Sequence, residues 1–185
     1  MLRLTNHHFK LINTIFIVKL QFHLKVRLTM INLAQQTITI NAPSSQVFNF
    51  VSNMENYKNW FPGVINITSA NNLPHGTVGK QYKETLLMPD GESELLIKVV
   101  NITKNSKFQT QGDLAGVLPQ MTIAFRELAC QVCEINLQYH SRSQNLDESD
   151  DLIVTLQSDL DARSHTALIT LKSMMEDTEY FSTEL

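Results

Sequence analysis

Between Thr37 and Gly63 the chain changes its hydrophobic period twice. Thr37-Ile38-Thr39-Ile40 alternates polar and apolar β-branched residues, the period of a strand with one face buried, so Ile38 and Ile40 are expected to face inward. Pro43 then presets φ for a first helical turn, Ser44 and Ser45 suit a helix start, and Val47, Phe48, Phe50 and Val51 recur at helical spacing. Asn53 is placed to cap a second short helix. Its apolar positions Met54, Tyr57, Trp60 and Phe61 recur about every three residues until Pro62-Gly63 ends it.

Beyond this helical interruption the pattern reads as a β-meander. Strands are expected over residues 64–70, 79–88, 93–103, 107–111, 121–127 and 131–141, which with the first makes six or seven. Pro89-Asp90-Gly91 is a hairpin signal, because Pro presets the turn and Gly tolerates positive φ. The linking segment 112–119, GDLAGVLP, is unusually apolar at Leu114, Val117 and Leu118. It has two readings, a loop packed back on the sheet or a lid over something. In the strand over 131–141, Cys133, Ile135, Leu137 and Tyr139 share one face, with Glu134, Asn136, Gln138 and His140 on the other. A polar tract then leads, with Ser149 as N-cap, into a long helix striped by Ile153, Leu156, Leu160, Ala167, Leu168, Leu171, Met174 and Met175.

Three motifs in combination resemble one superfamily: Ile38-x-Ile40-x-Ala42-Pro43, Val47-Phe48-x-Phe50-Val51 and Tyr57-x-x-Trp60-x-Pro62. They look like the opening of the START-like, polyketide cyclase/dehydrase or Bet v 1-like (SRPBCC) superfamily. Gly76-x-x-Gly79 before a strand containing Tyr82, and the long terminal helix, extend the likeness over residues 31–185. The resemblance implies an α+β helix-grip fold: a curved antiparallel sheet wrapped around the C-terminal helix, two short helices after the first strand, and an apolar cavity inside. It also implies a choice of functions, since a fold does not fix one. These are binding or transport of a hydrophobic small molecule (lipid, isoprenoid or polyketide-like), a cyclase or dehydratase without metal or nucleotide cofactor, or a protein-interaction module.

Composition changes this picture at the N-terminus. No Asp or Glu precedes Glu55, whereas Arg3, Lys10, Lys19, Lys25 and Arg27 do. Residues 1–30 match neither the family pattern nor a good folded element, and their longest mostly apolar run, LINTIFIV, is far below the roughly 20 residues a membrane-spanning helix needs. They read as a disordered or non-native extension ahead of a start at Met30; a targeting segment is the alternative. The other 155 residues form one domain that is acidic, as expected from a net charge of -3 once the basic leader is set aside. That sign disfavours binding nucleic acid through phosphate neutralisation. Cys130-x-x-Cys133 lies at a turn and strand start, without the helix start or second ligand pair that redox or metal chemistry uses, so both are expected as ordinary buried thiols in a reducing cytoplasm.

Catalytic signatures are sparse. The six histidines show no H-x-x-x-H or H-E-x-x-H spacing, and no Walker, dinucleotide or G-x-S-x-G motif occurs, so neither a metal nor a cofactor is expected. Two charged residues on otherwise apolar strands stand out, Glu84, which shares a face with Tyr82 and Leu86, and Arg126, which shares one with Thr122 and Ala124. If those faces are concave, Glu84 is a candidate base, with Arg126 or Tyr82 stabilising developing charge. The competing reading puts Lys83, Glu84 and Arg126 in solvent as ordinary sheet-surface charges. For the cavity lining, the expected residues are Trp60, Tyr82, Phe125 and Met174.

Overall fold

The computed structural model describes residues 30–88 and 91–177. The leader up to Thr29, and Pro89 and Asp90 of the expected hairpin, lie outside the described residues. Seven strands, β1 (Ile31–Ile40), β2 (Val64–Ser69), β3 (Gln81–Met88), β4 (Gly91–Thr103), β5 (Lys107–Gly112), β6 (Pro119–Ala129) and β7 (Val132–Ser141), form one antiparallel sheet in the order β1-β7-β6-β5-β4-β3-β2. The meander thus pairs neighbours in sequence, and only β1 reaches across to the last strand, with Ile31 opposite Ser141 and Ile40 opposite Cys133. Between β1 and β2 lie α1 (Ser44–Ser52), a 3₁₀ turn (Met54–Asn56) and α2 (Tyr57–Trp60); α3 (Asp151–Glu176) closes the chain. This is the helix-grip α+β architecture.

Local chemistry explains the short helices. Pro43 holds an extended N-cap conformation without a side-chain cap, and the orphan Ser44 N–H donates instead to the Glu127 carboxylate on β6 at 2.9 Å. That bond places a negative charge at a helix N-terminus and holds the Glu127 carboxyl below its ordinary range. Asn53 caps the next turn, accepting from Glu55 N–H at 3.1 Å. Phe48 on α1 packs edge-on against Phe125 on β6, centroids 5.4 Å apart, and this fixes the helix pair on the sheet.

Strands β2 to β7 differ from the sequence reading by one or two residues at one or both ends, and two further boundaries have a specific cause. β1 starts at Ile31 rather than Thr37, because a bulge between Asn32 and Ala34 buries the consecutive residues Leu33 and Ala34 and erases the period of two. The N-cap of α3 is Asp150 rather than Ser149, whose hydroxyl and N–H both donate to Asp147 Oδ1 in a preceding turn.

α3 runs beside β1 in the same direction. Gln157 Nε2 donates to Asn32 O at 2.8 Å and Lys172 Nζ to Thr39 O at 2.7 Å. Between these anchors the helix climbs roughly 22 Å and the strand roughly 23 Å at their standard rises, so the two stay in step. Arg163 Nη1 meanwhile donates to Leu87 O on β3, near the far edge of the sheet. A helix bonded to both β1 and β3 requires the sheet to curl around it, and bulges in β1, β2, β4 and β6 provide the bends.

Candidate functional site

The interior is not uniformly filled. Along the second half of α3, Ala167, Leu168, Leu171 and Met175 are buried directly among core side chains. Along its first half, Leu156 and Leu160 are only half-buried. Together with Asp159 and Arg163 they face a partly open cavity of about 90 Å³. Across it stand Leu33 from β1, Glu84 and Leu86 from β3, Leu95 from β4 and Tyr139 from β7; Tyr57 and Phe61 close one side, Leu114 and Val117 another. A second chamber of about 50 Å³ shares Tyr57, Glu84, Leu95, Pro119 and Tyr139 and extends toward Met54, Ile97, Thr110 and Met121.

Glu84 is the chemical centre of this space. The alternation of β3 turns Tyr82, Glu84 and Leu86 inward, and Glu84 is 5% exposed. Among the described residues no side chain or backbone group hydrogen-bonds or ion-pairs with its carboxyl. Burial alone pushes its pKa up to about 7, because the charged form loses water and gains no counter-ion. Beside it are two buried phenols, Tyr57 and Tyr139, whose hydroxyls share a short hydrogen bond, and Tyr139 Oη donates onward to Met121 Sδ at 3.1 Å. Burial holds both phenols well above their ordinary pKa, with the nearby Glu84 adding to the shift, so they stay protonated throughout the neutral range.

The mouth is ionic but neutralised. Arg163 Nε pairs with the Asp159 carboxylate one helical turn back, at 2.9 Å, and the guanidinium lies over Gly63, where a Cβ would come within 2.3 Å of Nη1. Gly63 at φ +88 is therefore required twice, for its backbone and for the room it leaves. The loop 113–118 forms the remaining wall. Ser141 Oγ donates to Val117 O at 2.7 Å, Arg142 Nη2 to Gly112 O at 2.8 Å, and Leu96 N to Asp113 Oδ1 at 2.6 Å. Leu118 has φ +49 directly before Pro119, a combination that costs a bulky residue conformational energy. Outside this wall an open groove of about 480 Å³ shares Leu95 and Leu114 with the cavity, so those two side chains stand between the two spaces.

The residues anticipated from sequence are scattered relative to this site. Glu84 lines it. Arg126 does not: it is on the outer face of β6, where its guanidinium forms a bidentate pair with Glu134 across to β7. Trp60 is 2% exposed, with its ring edge-on to Tyr57 and Phe61, so it sits one layer behind the lining. Tyr82 is fully buried and stacks on His75, whose Nδ1 lies 2.9 Å from its hydroxyl, beneath the 3₁₀ turn. Phe125 is engaged by Phe48, and Met174 packs half-buried near the far end of α3. Sequence reasoning did not single out Tyr57 and Tyr139 as site residues, although both fell on faces expected to be buried. A buried-face tyrosine needs a partner for its hydroxyl, and that requirement was the available signal.

Both cysteines are free thiols; Cys133 is buried as expected, and burial pushes it up to about 11, whereas Cys130 is exposed in the turn between β6 and β7. Among the described residues no helix is long and apolar enough to cross a membrane.

No family model and no curated protein matches the chain at the level of sequence. Solved structures do, and they define the fold as START-like. The aromatase/cyclase Zhui from a Streptomyces species superposes with a TM-score of 0.64 at 12% identity, covering 80% of this chain and 94% of that one. A START superfamily protein from Mycobacterium smegmatis gives 0.63 at 11% identity, covering 78% and 97%. The two-domain aromatase/cyclase StfQ of the steffimycin pathway gives 0.63 at 13% identity, covering 83% of this chain. The chain spans about half the length of the two-domain cyclases it matches, 45% of one and 53% of the other. At these identities the likeness is one of fold.

Proposed function

We propose that the chain binds an apolar small molecule, lipid-, isoprenoid- or polyketide-like, in the cavity between the sheet and the first half of α3. The observation that carries this reading is the half-buried stretch of α3 itself: Leu156 and Leu160 face empty space bounded by aliphatic side chains, while the second half of the same helix is tightly packed. Interiors normally close such voids, since unfilled space forfeits contact energy. Small-molecule pockets commonly measure about 300–1,000 Å³. A ligand of that size would therefore enlarge this cavity by displacing the 113–118 loop, whose wall residues Leu95 and Leu114 already border the outer groove. The free thiols are compatible with a cytoplasmic setting.

A second reading, a cyclase- or dehydratase-type enzyme, is favoured by one specific observation: a carboxyl with a pKa near 7 beside two protonated phenols. Glu84 has the proton affinity of a general base or acid at neutral pH. Arg126, on the outer face, has no part in this version.

The test is a thermal-shift titration with neutral apolar probes of increasing size, read in parallel by Trp60 fluorescence. A native-state ligand raises the midpoint by mass action, and Trp60 reports through its contacts with Tyr57 and Phe61. Saturable shifts for one probe class are expected; the absence of any shift across the series would remove both readings. Conversion of a bound substrate by wild type, lost in Glu84→Gln while binding persists, would select the enzyme.

A further inference from the structure

The polar atoms facing the cavity are unevenly divided between donors and acceptors. Tyr139 spends its single proton on Met121 Sδ, so the proton in the tyrosine pair is Tyr57's, and both hydroxyls have only lone pairs left to offer. Glu84, when ionised, is acceptor-only. The donor-bearing group at the mouth, Arg163, gives Nε–H to Asp159 and one Nη1–H to Leu87 O; it keeps further N–H donors but forms no bond with Glu84. The wall around these groups is aliphatic. Arg163 is held at the mouth by Asp159, and what Glu84 lacks among the described residues is a donor or positive charge of its own.

We propose that the occupant is an apolar amine, whose ammonium group seats against the Glu84 carboxylate and the Tyr57 and Tyr139 oxygens while its hydrocarbon body lies along Leu33, Leu156 and Leu160. This rests on the reading of the cavity as a binding site for an apolar small molecule and specifies the polar end of that molecule. A hydroxyl would satisfy one acceptor and leave the carboxylate uncompensated; an ammonium answers the charge and supplies several donors at once. The chain's net charge of -3 draws a cation toward the mouth rather than repelling it.

The charged and titratable groups that face Glu84 across the cavity are Tyr57 from α2, Tyr139 from β7, and Asp159 and Arg163 from α3. The phenols remain protonated at neutral pH and the ion pair at the mouth is internally balanced, so the pH dependence of amine binding reports Glu84. An alkylammonium stays charged over this range, as a lysine does. With one proton competing at a pKa of about 7, affinity should rise roughly thirtyfold from pH 5.5 to pH 8.

The experiment compares n-hexylamine, 1-hexanol, 2-heptanone and hexanoic acid by calorimetric titration of the full chain between pH 5.5 and pH 8. Hexylamine should bind tightest at pH 8 and weaken as the pH falls, and Glu84→Gln should lower its affinity by roughly tenfold or more, the scale of a charge-assisted bond to a buried carboxylate. The same variant should bind 2-heptanone no more weakly than wild type, since the glutamine amide adds a donor for the ketone oxygen, and the wild-type pH profile decides the matter should the variant fold poorly. Neutral or acidic probes binding tighter than the amine, or amine affinity flat with pH, would overturn the inference while leaving the cavity reading intact. Failure of all four probes would overturn the cavity reading and this inference with it.

Discussion

The two halves of α3 make the instructive comparison. They belong to one continuous helix gripped by one sheet, yet the core-facing residues from 164 to 175 are packed while Leu156, Asp159, Leu160 and Arg163 border a cavity. The packed half is tied to the end of β1, where Lys172 Nζ donates to Thr39 O and Asn41 N–H donates to Glu176 Oε1. The hollow half is met by a carboxyl, two phenols and a strained loop. Packing energy has been maximised at one end, and at the other the same elements hold open a chemically marked space. The stability of the fold and the function proposed for it therefore reside at opposite ends of one helix.

The largest expected effect breaks the packed half. Leu171→Ala removes a fully buried side chain where surrounding elements cannot collapse, and should cost about 2–5 kcal/mol in urea unfolding. Leu156→Ala, its counterpart in the hollow half, enlarges a space already present around a half-exposed side chain, and should cost about 1 kcal/mol or less. Equal losses at the two positions would show that the halves do not differ as described.

Glu84 sharpens the contrast through pH. Its folded pKa of about 7 lies above the ordinary carboxyl value of 4.5, so the folded protein holds the proton more tightly and loses stability as the pH rises through that window. The penalty is absent below about pH 4.5 and complete above about pH 7. Glu84→Gln should consequently gain stability at pH 8, by up to about 3 kcal/mol, and little at pH 4.5. A variant with the same advantage at both pH values would place the carboxyl in water. The smallest effect belongs to Arg126→Ala on the outer face, whose exposed pair with Glu134 should be worth about 1 kcal/mol or less and whose loss should leave ligand affinity unchanged.

How far the sequence revealed these differences depends on whether the signal was local. The strand-Pro-helix opening, the meander and the terminal helix are written in short-range periodicity, and they appear as expected apart from the bulged start of β1, where Leu33 and Ala34 are both buried. Glu84 stood out because a charge on an apolar strand face is visible locally. The direction of that face was not, because curvature arises from bulges and cross-strand packing. Arg126 carried the same local signal and lies outside. Tyr57 and Tyr139, 82 positions apart, meet only once β7 and α2 are folded together. Trp60, Tyr82, Phe125 and Met174, expected at the cavity, are large apolar or aromatic side chains that suit core positions equally well, and the structure places them in contacts outside the cavity lining.

The most direct test of the claim that the hollow half is a binding site is to fill it. Leu160→Trp places an indole into the cavity from the half-buried face of α3, and its effect is measured as the affinity of the best apolar probe alongside the urea midpoint. The account predicts that binding is lost by tenfold or more while the fold persists with stability within about 2 kcal/mol of wild type, since the space is already present. Undiminished binding in a folded Leu160→Trp protein would contradict it.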